Sequence, residues 1–190
     1  MDAQPSIWLR PVRTEDFWLF ERGADSPDAA GEFNWSGFRD VAALHRQHEL
    51  NRLIGPDAGR LIVALGEHVI GEVSWTKVTY GVPSWWCWNI GISLLPEFRG
   101  QGAGPVAQVL LVEYLFNTTA TPRIEAWTDV KNIAERRALE KAGFVHEGEL
   151  RSTQFRAGGW RDIVIYSALR TEWRPPADSA GQVEELRTNV

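Results

Sequence analysis

Between Asn89 and Gly104 the sequence reads NIGISLLPEFRGQGAG, a strand-like run that stops at Pro96 and passes through an arginine-glycine turn into the start of a helix. Three of the five residues from Gly100 to Gly104 are glycine. The backbone can therefore curl and aim successive N–H groups at one point, where the following helix adds the positive end of its dipole. Such a turn binds anions, and a diphosphate is its natural guest. A Walker loop would end in GK[ST], and a Rossmann turn would read GxGxxG with an acidic partner about twenty residues on; neither pattern is present.

Three carboxylates stand where they could move protons: Glu72 within a strand-like run, Asp129 at the end of another, and Glu135 in the first turn of a predicted helix. A carboxylate in a cleft can take a proton directly or through water, and one whose pKa is raised by burial can deliver one. Each also has a plainer reading. Glu72 suits a solvent-facing strand position, Asp129 a turn residue bonding its own backbone, and Glu135 a first-turn acid that favours the helix dipole. Cys87 is the only cysteine and has no histidine in a nucleophile arrangement, so it reads as a semi-buried strand thiol. His45, His48, His68 and His146 show no metal spacing with carboxylates, and no metal is expected.

Read as RxxGxG, the run Arg99, Gly100, Gln101, Gly102, Ala103, Gly104 resembles the coenzyme A pyrophosphate loop of the GNAT acyltransferase superfamily. The family's second landmark follows in NIAERRALEKAGF, where Asn132 precedes Ala134, Glu140, Lys141, Gly143 and Phe144. A third block, from Glu147 to Trp173, is similar to the C-terminal hairpin of the RimJ/RimL-like branch that acetylates ribosomal-protein N-termini, in which a G-W-x-D turn (Gly159 to Asp162) leads into the last strand. The resemblance runs from Ile7 to Trp173. It implies an α/β (α+β) fold, with a mixed, mostly antiparallel sheet of about seven strands splayed at the coenzyme strand and helices on both faces.

The resemblance further implies acetyl-CoA as acyl-donor cosubstrate. The exposed backbone of Ile92, Ser93 and Leu94 would pair with the pantetheine arm and supply an oxyanion N–H, the loop from Arg99 to Gly104 would grip the pyrophosphate, and Asn132 would reach the pantetheine from the other side. Asn132 is equally suited to cap a helix, and both roles are compatible. Many members carry a tyrosine seven positions after this asparagine, where the chain has Leu139, and the ribosomal-type branch often has a serine three after it, where the chain has Glu135. Both usual acids are absent. Direct transfer does not strictly require one, because coenzyme A is an adequate leaving group and water can protonate it.

The chain has ten tryptophans. Alternation puts Trp86 and Trp88 on one strand face with Trp85 opposite, and a wall of Trp35, Trp75, Trp86 and Trp88 lining the acceptor cleft would suit a bulky aromatic or cationic amine. A tryptophan-rich core or a subunit interface, as in a homodimer, is the plainer reading.

The elements that would position these residues follow from periodicity and punctuation. Strands are expected at Ile7 to Val12, Leu61 to Leu65, Val69 to Val78, Trp85 to Leu94, Arg123 to Thr128 and from Phe144 onward. Helices are expected from Thr14 and Asp16 to a stop at Gly23, across the stretch from Phe38 to Leu53, from Pro105 to Phe116, and from Ile133 to Ala142 with Gly143 closing it. Ala24 to Gly31 reads as a loop. With 190 residues and 44% hydrophobic content, residues 1–174 read as one acyltransferase domain and 175–190 as a disordered tail. No signal peptide or membrane span is apparent, so the protein is expected in the cytoplasm. A formal net charge of −5 disfavours nucleic acid and fits a cationic acceptor, though ordinary solubility is its plainer reading. Three functions are compatible with the sequence: an acetyltransferase for a small-molecule amine, one for a protein N-terminal amine, and a coenzyme A-binding module without catalysis.

Overall fold

Runs such as RLIVAL carry too many consecutive apolar side chains for a sheet with a wet face, and each must be covered on both sides. The computed structural model, which describes residues 6–177, covers them that way. Seven strands form one sheet: β1 (Ile7–Pro11), β2 (Ala58–Leu65), β3 (His68–Thr79), β4 (Trp86–Leu94), β5 (Arg123–Asp129), β6 (Val145–Arg156) and β7 (Gly159–Leu169), in the order β1-β2-β3-β4-β5-β7-β6. All neighbours are antiparallel except β4 and β5. Leu61 and Val63 enter a core shared with α4 (Ala103–Thr118), while Ile62 between them enters a second core with Phe17, Leu19 and Phe20 of α1 (Phe17–Asp25).

Helix α4 is apolar on nearly every side and accordingly buried, with Val109, Leu111, Val112 and Leu115 fully enclosed. Helix α5 (Ile133–Lys141) is capped by Asn132, whose Oδ1 accepts the Glu135 N–H at 3.2 Å. It ends at Gly143 with φ of 83°, the left-handed position that favours glycine. There the Trp173 indole donates to the Ala142 carbonyl at 3.0 Å.

The expected elements are present with adjusted ends. Gly23 lies inside α1, because the stop is made by Ser26, whose hydroxyl accepts the Ala29 N–H at 3.3 Å and starts the short α2 (Pro27–Ala30) within the expected loop. Thr14–Asp16 form a 3-10 turn leading into α1, where the buried Asp16 carboxylate accepts the Arg13 N–H at 2.8 Å and pairs with Arg10, its oxygens 2.6 and 2.7 Å from the guanidinium. Helix α3 (Ala42–Asn51) begins later than Phe38, where the Asp40 carboxylate accepts the Ala42 N–H at 2.8 Å. Most of the expected C-terminal tail, residues 178–190, lies outside the described residues.

Candidate active site

The sheet comes apart at its one parallel junction. Strands β4 and β5 share only the pairs Trp88–Ile124, Asn89–Glu125 and Ile90–Ala126. Beyond Ile90, the residues Gly91 to Leu94 stay with β3, while Trp127 to Asp129 stay with β7. A cavity of about 500 Å³ opens at this parting. Ile92, Ser93 and Leu94 line it from β4, and Thr128, Asn132 and Glu135 from the β5–α5 side. Antiparallel register carries Glu72 and Ser74 to the face that bears Ser93 and Gly91, and Arg60 sits opposite Ser74. The mouth is bounded by Ala29, Ala30, Asn34, Arg39 and Asp40.

The glycine turn lies where β4 hands over to α4. Gly100 and Gly102 have φ of 72° and 85°, and a Cβ on either would meet nothing within 4 Å. Gly102 is the N-cap of α4, and no side chain caps that helix. The turn therefore presents an open cradle of first-turn amides at the positive end of a 16-residue helix, a fit for a diphosphate. Gln101 is tied back to the Glu97 carbonyl at 2.6 Å, and Ala103 is buried beneath. Gly104 faces α5, its absent Cβ 3.9 Å from Ala138.

Arg99 differs from expectation. Its guanidinium turns away from the cradle, donating to the Leu94 carbonyl at 2.9 Å and the Ala29 carbonyl at 2.6 Å, and it lies against Gly31. It fastens the strap Ala29–Asn34 to the end of β4.

Of the three carboxylates, Glu72 and Glu135 face the cavity and Asp129 does not. Glu72 is ion-paired with Arg60 at 2.6 Å. Asp129 is 3% exposed and ion-paired with Arg156, and its other oxygen accepts the Lys131 N–H at 2.8 Å. Arg156 in turn donates to the Phe33 carbonyl at 3.1 Å and lies over the Phe33 ring. The expectation of Asp129 as a base is thus corrected: its charge is consumed in holding the far end of the strap. Glu135 is half-buried between α5 and α4, and burial pushes its carboxyl up to about 7 against the opposing hydrogen bond from Gln108. Asn132 faces the cavity while both side-chain atoms are engaged, Oδ1 in the cap and Nδ2 on the Thr128 hydroxyl at 3.0 Å. Leu139, in place of the usual tyrosine, is fully buried in the core.

The tryptophan wall is also corrected. Trp75, Trp86 and Trp88 share the sheet face covered by α4, because Trp75 sits opposite Ile90 and Lys77 opposite Trp88. Trp75 is 3% exposed and packs on Tyr114; Trp88 is equally buried and donates to the Thr119 hydroxyl at 3.2 Å. Trp35 stacks edge-on with Phe38 and does not line the cavity. The tryptophan that does is Trp127, 40% exposed on β5. Its indole donates to Glu125, a carboxylate with no exposure that also receives Tyr80 and Arg123. Strand alternation marks Trp127 as facing opposite to Thr128, but nothing in the sequence says that β4 and β5 part at that level. Cys87 is buried and its thiol is pushed up to about 12 by burial, which leaves it inert.

Residues 6–145 match the acetyltransferase (GNAT) domain, the same stretch that builds the cleft and cradle. The chain belongs to the GNAT acetyltransferase family. Among curated relatives it is 33% identical over 85 residues to the putative ribosomal N-acetyltransferase YdaF of Bacillus subtilis (strain 168), a match covering 45% of this chain and 46% of that protein. The chain thus spans about half the length of that relative. Mycobacterium smegmatis RimJ in complex with CoA-disulfide shares the fold with a TM-score of 0.72 at 21% identity, over 95% of this chain and 89% of that one. Spermidine N-acetyltransferase from Vibrio cholerae in complex with CoA and spermine gives 0.72 at 20% identity, over 88% and 97%. GNAT members with this fold therefore include proteins named for a small polyamine and for ribosomal proteins. Among the described residues no helix is long and apolar enough to cross a membrane, and no group of His, Cys, Asp and Glu could hold a metal ion.

Proposed function

We propose that this protein transfers an acetyl group from acetyl-CoA to the amine of a small molecule by direct attack. The observation that supports the reading is that the β4 edge left free by β5, Ile92 to Leu94, lines the cavity and runs on in the chain to the open glycine turn at the start of α4. In this reading Gly100, Gln101, Gly102, Ala103 and Gly104 hold the pyrophosphate through backbone N–H groups. The free edge of Ile92, Ser93 and Leu94 holds the pantetheine arm as an added strand, and Asn132 flanks it. A backbone N–H of the same edge, near Ile92 to Leu94, faces the oxygen on which charge develops.

The amine enters from the strap side as the neutral base. Asp40 and Glu72 give that side carboxylates for a cationic acceptor, and Trp127 gives it an aromatic wall. Because Glu72 is paired with Arg60, its part in removing the amine's proton runs through water. Arg99 positions the acceptor wall rather than the coenzyme. The cavity volume, about 500 Å³ for the pantetheine end and acceptor together, supports a small amine. A protein N-terminal amine is the second reading, supported by the similarity to the ribosomal-type relative. A homodimer in the cytoplasm completes the proposal, with no nucleic acid, membrane or metal involved.

Calorimetry with acetyl-CoA, followed by thiol release against amines and short peptides, tests it. Micromolar binding with release on amines is expected. Release on alanyl peptides alone would replace the acceptor class, binding without release on either would favour a non-catalytic module, and no binding would overturn the coenzyme assignment.

A further inference from the structure

Gln108 is 2% exposed within α4, and its Oε1 is buried with no hydrogen-bond partner among the described residues. Its Nε2 donates to Glu135 Oε1 at 2.6 Å. The orphan oxygen belongs to the same amide whose nitrogen contacts the Glu135 carboxyl. An ionised Glu135 has only acceptors and leaves that oxygen unsatisfied, whereas a protonated Glu135 has one O–H to give. The donor that this amide and carboxyl can supply between themselves is a proton on Glu135.

The charges around it agree. On α4 the facing group is the neutral Gln108. On β5 Asp129 is taken by Arg156, and on α5 itself Arg136 is bonded to the Val130 carbonyl and to Tyr166, which in turn donates to Glu140. Across the cavity Glu72 holds Arg60, Glu97 holds Arg22, and Arg39 and Asp40 stand at the mouth. Among the described residues no cation is ion-paired with the Glu135 carboxyl, and burial is the dominant influence on it. The carboxyl lines the cavity beside Asn132 and opposite the free edge of β4.

We propose that Glu135 rests protonated against Gln108 and gives that proton to the departing thiolate, with Gln108 as the positioning residue. This rests on the acetyl-transfer reading above. The nitrogen–carbon bond forms, the carbon–sulfur bond breaks with its electron pair passing to sulfur, and the Glu135 proton joins that sulfur. The amine's surplus proton leaves to solvent, and solvent reprotonates Glu135, so one amide and one thiol are produced. Glu135 thereby does the work for which the chain has neither the tyrosine nor the serine.

Infrared difference titration of the full chain tests this without an acceptor. Wild type is expected to show a protonated-carboxyl band near pH 6 that is lost in Glu135→Gln. The band should shift in frequency in Gln108→Leu, which removes its hydrogen-bond partner, and shift again when acetyl-CoA saturates the protein. On any amine that releases thiol, Glu135→Gln should lower kcat about 100-fold and remove the fall in rate above pH 7. Absence of a band that Glu135→Gln removes overturns the proposal, as does a band unmoved by saturating acetyl-CoA. Failure of acetyl-CoA to bind wild type in calorimetry overturns the transfer reading instead, while the band still reports the protonation state.

Discussion

Replacing Asp129 with asparagine separates a structural carboxylate from a catalytic one. Asp129 and Arg156 are 3% and 9% exposed, and among the described residues each is the other's only ion-pair partner. Removing one charge leaves the Arg156 guanidinium desolvated, with only the Gln154 side chain at 2.9 Å and the Phe33 carbonyl at 3.1 Å as acceptors. Breaking a buried pair from one side costs about 3–5 kcal/mol. Asparagine keeps one acceptor, which puts Asp129→Asn near 3 kcal/mol, or a fall in Tm of about 6–12 °C for a chain of this size. Arg156→Met should cost a similar amount. The double variant should cost much less than the sum, because no uncompensated charge remains, and the coupling should exceed about 1 kcal/mol. Urea unfolding of the four proteins supplies the cycle. Because Arg156 also holds Phe33, both single variants should raise the acceptor KM more than they lower kcat. A stability change under about 1 kcal/mol together with a hundredfold loss of kcat in Asp129→Asn would refute this reasoning and restore Asp129 as a base.

Three further outcomes are expected. Gly102→Trp should abolish measurable acetyl-CoA binding in calorimetry by filling the open cradle, whereas Gly102→Ala, which carries the same left-handed backbone strain of about 1–2 kcal/mol without the bulk, should weaken it only modestly. Gly71→Ala should destabilise by about 1–3 kcal/mol and weaken coenzyme binding, since the new Cβ would stand 2.3 Å from the Ser93 carbonyl oxygen and force β3 and β4 apart at the coenzyme edge; Gly148→Ala, with nothing within 4 Å, is the control. Unfolding free energy should decline as pH rises from about 4.5 to about 7, because folded Glu135 keeps a proton that the unfolded chain has lost. The effect is on the order of 3 kcal/mol and should vanish in Glu135→Gln. Glu147 acts in the opposite sense: the hydrogen bond from Arg123 holds its pKa at about 2, so its contribution is present above the ordinary carboxylate range and lost as pH falls through about 2.

The glycine turn of the candidate site was legible because it is made by backbone. An RxxGxG turn after a strand and before a helix constrains φ, amide direction and dipole at once, and those constraints are written locally as glycine. The sheet was legible from alternation, although strand ends moved by one to three residues where hydrogen bonds, not hydropathy, set them. The lining of the cavity on the strap side was not legible. Trp75 and Trp88 read as cleft residues because alternation fixes which residues share a face but not which face the helix covers. That is decided by α4 crossing β3 and β4, a long-range choice. Trp127 and Gln108 gave no local signal at all. Trp127 matters because β4 and β5 part just before it, and Gln108, a buried polar residue of α4, matters because α5 brings Glu135 to it.

Arg99 and Asp129 show how a residue's place in a motif can mislead about its contacts. Arg99 opens the glycine loop in sequence, yet its guanidinium spans from the Leu94 carbonyl to the Ala29 carbonyl. Asp129 ends the strand that leads to Asn132, yet its charge is spent on Arg156, whose other nitrogen reaches Phe33. Both arginines donate to backbone carbonyls of the same strap, four residues apart, from opposite sides of the cleft. A strap whose own secondary structure is one short turn of helix cannot hold its shape by propensity; these two donors hold it, and one of them issues from the residue immediately before the cradle glycines. Arg99 therefore ties the residue next to the turn proposed for the diphosphate to the strap beside the proposed acceptor pocket.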